Sequence, residues 1–428
     1  MARKKRHGND PRRARGIPGR LRAEKERREI EVKEHQLRAI SNRLHASIAA
    51  KPSSRDAGEA TEPAPTAQSP KVIASIFHEL RQLAFAPRGF VSNTFRQQIW
   101  LFLVGHSDFE PHEKRDPAHF AARCADPHRD DGQVEKDIDR SLWHYDILKG
   151  IRESERRTKR RALTQVIGAV LRANDQLHYY QGYHDVSSVF LLTLGDQRAF
   201  KVVQRVSESY HREAMGSGFE TVMQVTRLLF PLLNAEDNEL YAYIRESGVE
   251  PFFALPWMIT WFAHQLQKFQ DVARLYDVFL VSHPLFCLYI SAALVLEART
   301  RVLKCDCDFG TMHSLLSKLP QTMDIERVIA RAALMIHTTS PAELLQLSDM
   351  ETTLAIEKST YFACPYDFQQ HFGVEKPFLK LPVIAQNKMQ QHQQSRFGAK
   401  SSFIVRAAAV GVVAALVSYA YRSRIQPM

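Results

Sequence analysis

At 428 residues and 44% apolar content, the chain is long enough to fill one large core or two ordinary ones. Its net charge of +11 suggests a nucleic-acid binder until it is divided along the chain: residues 1–50 hold 15 Lys/Arg against 6 Asp/Glu, or +9, and everything after carries only +2. The basicity therefore belongs to a tail and not to a folded basic face, and five cysteines, an odd number, argue against a disulfide framework and for reduced thiols facing the cytosol.

The opening stretch, Arg3-Lys4-Lys5-Arg6 and then Arg12-Arg13, is too charged and too punctuated by Gly and Pro to bury a core, and reads as a disordered basic arm. From Arg22 to Ile48 opposite charges recur four apart (Glu24/Arg28, Glu29/Lys33, Glu34/Arg38) beside a thin apolar line of Leu37, Ile40, Leu44 and Ile48, which predicts a solvated helix. Residues 51–70 are a linker by composition, so residues 1–70 form one accessory unit of arm, charged helix and linker. After Ser69-Pro70, a cap followed by proline at the first helical position, Ile73, Ile76, Phe77, Leu80 and Leu83 supply an apolar face.

That face opens a domain read as all-α over residues 71–350. Leu163, Val166, Ile167, Val170 and Leu171 fall at i, i+3, i+4, i+7 and i+8, while hairpin-bounded alternation is scarce and no fixed repeat appears. Trp100, Trp143, Trp257, Trp261 and the phenylalanines around 252–262 are assigned to core packing. Cys305-x-Cys307 lacks a second pair of ligands, so no metal site is assigned, and His283-Pro284 with Cys287 reads as a helix entry. Residues 351–402 are assigned to a tether, polar and glutamine-rich over residues 380–402.

At the end, Ala407–Tyr421 is an uncharged stretch of 15 residues, spanning roughly 22 Å as a helix and short of the ~30 Å hydrocarbon core. Extended to Phe403 it reaches 19 residues, with Arg406 placed to snorkel, Tyr419 and Tyr421 at the other interface, and Arg422 and Arg424 beyond. Residues 403–421 thus predict a single C-terminal membrane anchor, the other reading being an Ala/Val-rich helix packed on the domain.

No nucleophile elbow, phosphate loop or dinucleotide fingerprint stands out. Two short constellations remain: Val134-x-x-Asp137-x-x-Arg140 within QVEKDIDRSLW, and Tyr179-x-Gln181-Gly182 within HYYQGYHD. If the first is helical, three-residue steps place Val134, Asp137 and Arg140 along one side, where the carboxylate can orient the guanidinium; the same spacing suits an ordinary surface helix with an i,i+3 ion pair. In the second, Gly182 permits a turn that projects the Gln181 amide outward, though a loop glutamine beside a structural glycine is also compatible. Asp185 reads as the cap of the next helix. Taken together, arginine plus glutamine without a nucleophile suits phosphoryl transfer from GTP bound elsewhere: the guanidinium meets developing charge and the carboxamide positions the water.

On these residues the chain resembles the TBC (Tre2/Bub2/Cdc16) domain family of Rab GTPase-activating proteins, whose signatures are I-x-x-D-x-x-R and Y-x-Q-G. The first stands here with Val134 for isoleucine at a position that packs inward, the second is matched at Tyr179-Tyr180-Gln181-Gly182, and the segments FRQQIWLFLVG (Phe95–Gly105), PFFALPWMITWF and RLYDVFL (Pro251–Leu280) agree as well. The resemblance implies an all-helical, V-shaped domain in which Arg140 is an arginine finger, Gln181 a glutamine finger, and Asp137 the group that holds Arg140. It also implies a Rab-family GTPase as partner, which holds the GTP and Mg2+, so that the chain needs no cofactor and activates hydrolysis without hydrolysing GTP itself. YYQGYHD and the apolar tail resemble most the endoplasmic-reticulum-anchored member of that family, which implies the early secretory pathway; a short span with trailing arginines also suits the mitochondrial outer membrane.

Two rival functions differ in class. A non-catalytic Rab-binding module has the same fold but has no use for the two fingers. A nucleic-acid binder draws on the basic arm but lacks a stacking platform, and the arm is equally suited to anionic lipid, each basic residue near the surface being worth about 1 kcal/mol.

Overall fold

The computed structural model describes residues 17–49, 70–106, 120 and 123–363, and every regular element among them is helical. In chain order the helices are α1 Ile17–Ala49, α2 Pro70–Phe85, α3 Asn93–Leu103, α4 Asp131–Asp139, α5 Glu153–Ala173, α6 Tyr183–Leu194 and α7 Asp196–Glu208. There follow α8 Glu220–Arg227, α9 Leu229–Glu236, α10 Asn238–Glu246, α11 Leu255–Ile259, α12 Phe269–Phe279 and α13 Phe286–Glu297. Short α14 Arg299–Val302 precedes α15 Phe309–Ser317, α16 Ile325–Thr338, α17 Pro341–Leu347, α18 Met350–Ile356 and α19 Thr360–Ala363. The anchor predicted over 403–421, the tether from 364 onward and the arm before residue 17 lie outside the described residues. No described helix is long and apolar enough to cross a membrane.

The predicted faces fall where periodicity put them. Helix α2 starts at Pro70, and Ile73, Ile76, Phe77 and Leu80 are buried. Along α5, Leu163, Val166, Ile167, Val170 and Leu171 all face the core, while Glu153 and Glu155 in its first turn and Arg172 in its last complement the peptide dipoles. Helix α13 is apolar on every side because it is buried on every side, packed mainly along α16.

Beneath the α2–α3 corner sits a fully buried ion pair. The Asp277 carboxylate accepts from Arg96 Nε (3.0 Å) and Nη2 (2.9 Å), from the Trp100 indole (2.9 Å) and from the Phe90 amide (3.0 Å). Four donors on one carboxylate supply the hydrogen bonds without which a buried charge is only a cost. Gly89, at φ +51, passes so close that a β-carbon there would lie 2.4 Å from Asp277 Oδ2.

Two boundaries differ from those predicted. Helix α1 is not solvated all round: Leu37, Ile40 and Leu44 are buried against α2 and α3. Lys33 forgoes the predicted Glu29 pairing and turns inward, where its ammonium donates to the Ala86 (3.0 Å) and Pro87 (2.7 Å) carbonyls. The thin apolar line is a docking strip, masked in the sequence by the charges around it. At the other end, residues 351–363, assigned to the tether, carry nearly all of α18 and the whole of α19 on the domain. Thr352 bonds to Gln224, the Thr360 amide donates to Glu213, and Tyr361 is buried.

Candidate functional site

Arg140 caps the C-terminus of α4. Its Nε donates to the Lys136 carbonyl (3.1 Å), one of the acceptors a helix end leaves unsatisfied, and its Nη2 to Asp137 Oδ1 (3.1 Å). Each three-residue step falls about 60° short of a full turn, so Val134, Asp137 and Arg140 do not share one face as predicted; they wind from core to surface. Val134 is buried, the Asp137 side chain is 2% exposed, and Arg140's is 51% exposed. Asp137 stands at the crossing, which is how a buried carboxylate can hold an exposed cation.

The loop between α5 and α6 is pinned from several sides. The Tyr179 amide donates to Asp130 Oδ2 (2.9 Å), the His178 amide to the Met215 carbonyl (2.8 Å), and Arg129 to the Asp175 and Leu177 carbonyls (2.8 Å each). Tyr180 is buried, its hydroxyl donating to the Ile259 carbonyl at 2.6 Å. Gly182 then takes φ +104, a conformation a β-carbon resists, and such a carbon would also lie 2.9 Å from Thr260 Cγ2. Between the inward Tyr180 and this turn, Gln181 is exposed, as the turn argument predicts.

The two constellations meet at Asp137. The Tyr179 hydroxyl donates to Asp137 Oδ2 at 3.0 Å, while Oδ1 receives Arg140 and Gln133 Nε2 (3.0 Å). Burial, and then the Asp137 charge, push the Tyr179 pKa far above its ordinary value, so the hydroxyl stays a neutral donor. The same oxygen lies 2.8 Å from His184 Nδ1; His184 Nε2 is 3.4 Å from Asp185 Oδ1, and Asp185 Oδ2 is 2.8 Å from His264 Nδ1. A line of polar side chains therefore runs from exposed Arg140 through Asp137, Tyr179, His184 and Asp185 to His264.

Asp185 is not the cap predicted for it. Gly182 occupies the cap position of α6, and Asp185 lies in the first turn, buried. Burial alone would push its pKa up, but the neighbouring His184, the His264 hydrogen bond and His144 outweigh that and hold it well below the carboxylate range. Sequence reasoning passed over His184 and His264. His184 stood in the quoted segment, whereas nothing local to residue 264 signals a partner 79 positions away.

Trp143 is likewise not core. It is 55% exposed, whereas Trp100, Trp257 and Trp261 are buried. Its ring lies on Arg156, 3.6 Å from guanidinium carbon to centroid, with Arg160 at 5.2 Å. Among the described residues no group of three or more His, Cys, Asp or Glu could hold a metal, and Cys305 and Cys307 are free thiols.

Residues 93–303 match the Rab-GTPase-TBC domain family, and the chain carries that domain. It is 35% identical to TBC1 domain family member 20 of Bos taurus over 62% of the chain and 64% of that relative. It is 30% identical to the GTPase-activating protein gyp10 of Schizosaccharomyces pombe over 56% of the chain and 63% of that protein. The matched stretch thus spans a little under two thirds of the curated relatives' own lengths. The fold is similar to the crystal structure of the Ypt/Rab-GAP domain of Gyp1p, with TM-score 0.50 and 18% identity, covering 61% of the chain and 93% of that structure.

Proposed function

We propose that this TBC domain is a Rab GTPase-activating protein that supplies Arg140 as an arginine finger and Gln181 as a glutamine finger to GTP held by its partner. The observation that carries the reading is the Asp137 carboxylate, which binds Arg140 on one oxygen and Tyr179, two residues before Gln181, on the other. One buried anchor thereby sets the spacing of two exposed side chains. Pre-set groups of this kind stabilise transition-state charge without reorganising when the reaction occurs. The relatives named as GTPase-activating proteins support the same reading. Arginine fingers in GTPase activation are worth about 10³–10⁵ in rate, or roughly 4–7 kcal/mol of barrier. GTP and Mg2+ belong to the partner, and the chain supplies only side chains.

The test is GTP hydrolysis by a panel of purified Rab GTPases with the full chain as wild type, Arg140→Ala and Gln181→Ala. Strong acceleration of one or a few members, lost in both variants, is the expected result. A folded wild type that binds a GTPase yet accelerates none replaces this reading with the non-catalytic binding module.

The finer assignment has the chain held by residues 403–421 in the endoplasmic reticulum membrane, facing the cytosol and serving the early secretory pathway, with the basic arm on anionic lipid. The apolar run flanked by Arg406, Arg422 and Arg424 supports the anchor. A reporter fused to residues 400–428 is expected in alkali-resistant reticulum membranes; recovery with mitochondria moves the assignment there, and a soluble reporter removes the anchor.

A further inference from the structure

We infer that Trp143 is a docking anchor for the GTPase that receives Arg140, an inference that rests on the function proposed above. It begins from a backbone anomaly. Leu142 takes φ +62, a region that costs a branched side chain about 1 kcal/mol or more, and the residue is itself buried. The strained turn sends Leu142 into the core and its neighbour Trp143 out. The segment is then locked from α5: buried Arg156 donates to the Leu142 carbonyl and to the Leu148 carbonyl (3.2 Å), and Arg160 Nη2 to the Ser141 carbonyl (3.1 Å).

Arg156 also covers one face of the indole. An aromatic ring held between a fixed backbone and a buried guanidinium has little freedom left to lose, yet more than half of its surface meets water. Trp in that state is the residue type that most often dominates an interface when covered. Its place in the chain names what covers it. Three peptide steps separate it from Arg140, so their Cα atoms are at most about 11 Å apart. A standard interface covers about 800 Å² per partner, a disc of roughly 16 Å radius. A GTPase that takes Arg140 into its nucleotide site therefore overlies Trp143. The flank is basic, with Arg152, Arg157 and Arg161 exposed, so the chemistry sought on the partner is an apolar patch bordered by carboxylates.

The test uses the full chain carrying 5-fluorotryptophan, observed by fluorine NMR, and the unlabelled GTPase most strongly accelerated in the panel, loaded with a non-hydrolysable GTP analogue. The Trp143 resonance, identified by its loss in Trp143→Phe, should shift on saturation while those of Trp100, Trp257 and Trp261 stay. In steady-state hydrolysis Trp143→Ala should raise the GTPase concentration for half-maximal rate about 10- to 30-fold and leave the maximal rate within about threefold, with Trp143→Phe in between. An unmoved Trp143 resonance at saturating GTPase, with activation intact, overturns this inference and leaves the proposed function standing. A wild-type chain that accelerates no GTPase overturns both.

Discussion

Replacing Tyr179 with phenylalanine tests whether the two constellations act as one. The substitution keeps the ring and removes one oxygen, the donor to Asp137 Oδ2; Gln133 and Arg140 both bond to Oδ1. A hydrogen bond to a charged group is worth about 1.5–3 kcal/mol, and Asp137 is too buried for water to substitute freely. The carboxylate is then free to swing toward another donor, carrying the Arg140 guanidinium with it, and a misplacement near 1 Å costs about 10²-fold. Activation should therefore fall about 10- to 100-fold in maximal rate, less than the loss from Arg140→Ala, with little change in the concentration of GTPase required. The melting temperature should drop by several degrees. Single-turnover hydrolysis by the best partner of the panel reads the rate. The decisive comparison is the double variant: if Tyr179 acts through Arg140, adding Tyr179→Phe to Arg140→Ala changes nothing further. A full multiplicative loss in the double variant, or undiminished activation in the single one, refutes the coupling.

Three further outcomes follow from described geometry. Gly182→Ala must hold an alanine at φ +104 with its β-carbon 2.9 Å from Thr260 Cγ2, so it should cost about 1–3 kcal/mol in urea unfolding and most of the activation. Adding Thr260→Ser should return part of both, since it relieves the contact but not the backbone. Asp277→Asn places an amide among N–H donors and strips Arg96 of its counter-charge; a loss of about 3–5 kcal/mol is expected, and a change below about 1 kcal/mol would show that the pair is not the keystone its burial suggests. Burial, and then Arg274, lower the Lys33 pKa from 10.5 to about 8. Between those values the unfolded chain holds a proton the folded chain has released, so stability should rise as pH climbs from about 8 toward 10.5. Unfolding at pH 7.5 and 9.5 should show that gain in wild type and not in Lys33→Met; equal slopes would assign it elsewhere.

What the sequence revealed, and what it hid, divides by the range of the interaction responsible. The α5 face, inward Val134 and the turn at Gly182 depend on spacing or on one residue's conformational freedom, so they could be read in place. The Asp137–Tyr179 bond and the Asp185–His264 pair join residues 42 and 79 positions apart, a proximity no local pattern encodes. Trp143 went to the core on residue type, because its exposure arises from a positive φ at Leu142 that nothing in that leucine announces. Helix α1 was misread for the opposite reason. Its apolar line was visible, but four side chains among so many charges carry a weak periodic signal, and only the surface beneath Leu37, Ile40 and Leu44 reveals that these three are covered.

The seating of α1 has a practical side. By composition, residues 51–70 invite a cut that starts the protein at residue 71, with nothing seemingly lost but a charged extension. Leu37, Ile40 and Leu44 together withdraw three large side chains from water, on the order of 5–9 kcal/mol of apolar burial as an upper bound. Removing them bares the matching surface on α2 and α3, and a bared apolar surface finds another copy of itself. Protein shortened in that way would sediment as oligomers, and its colloidal behaviour would report on the missing helix and not on the native state. Keeping the folded domain from associating with itself is in part the work of a helix whose sequence is mainly charged and polar.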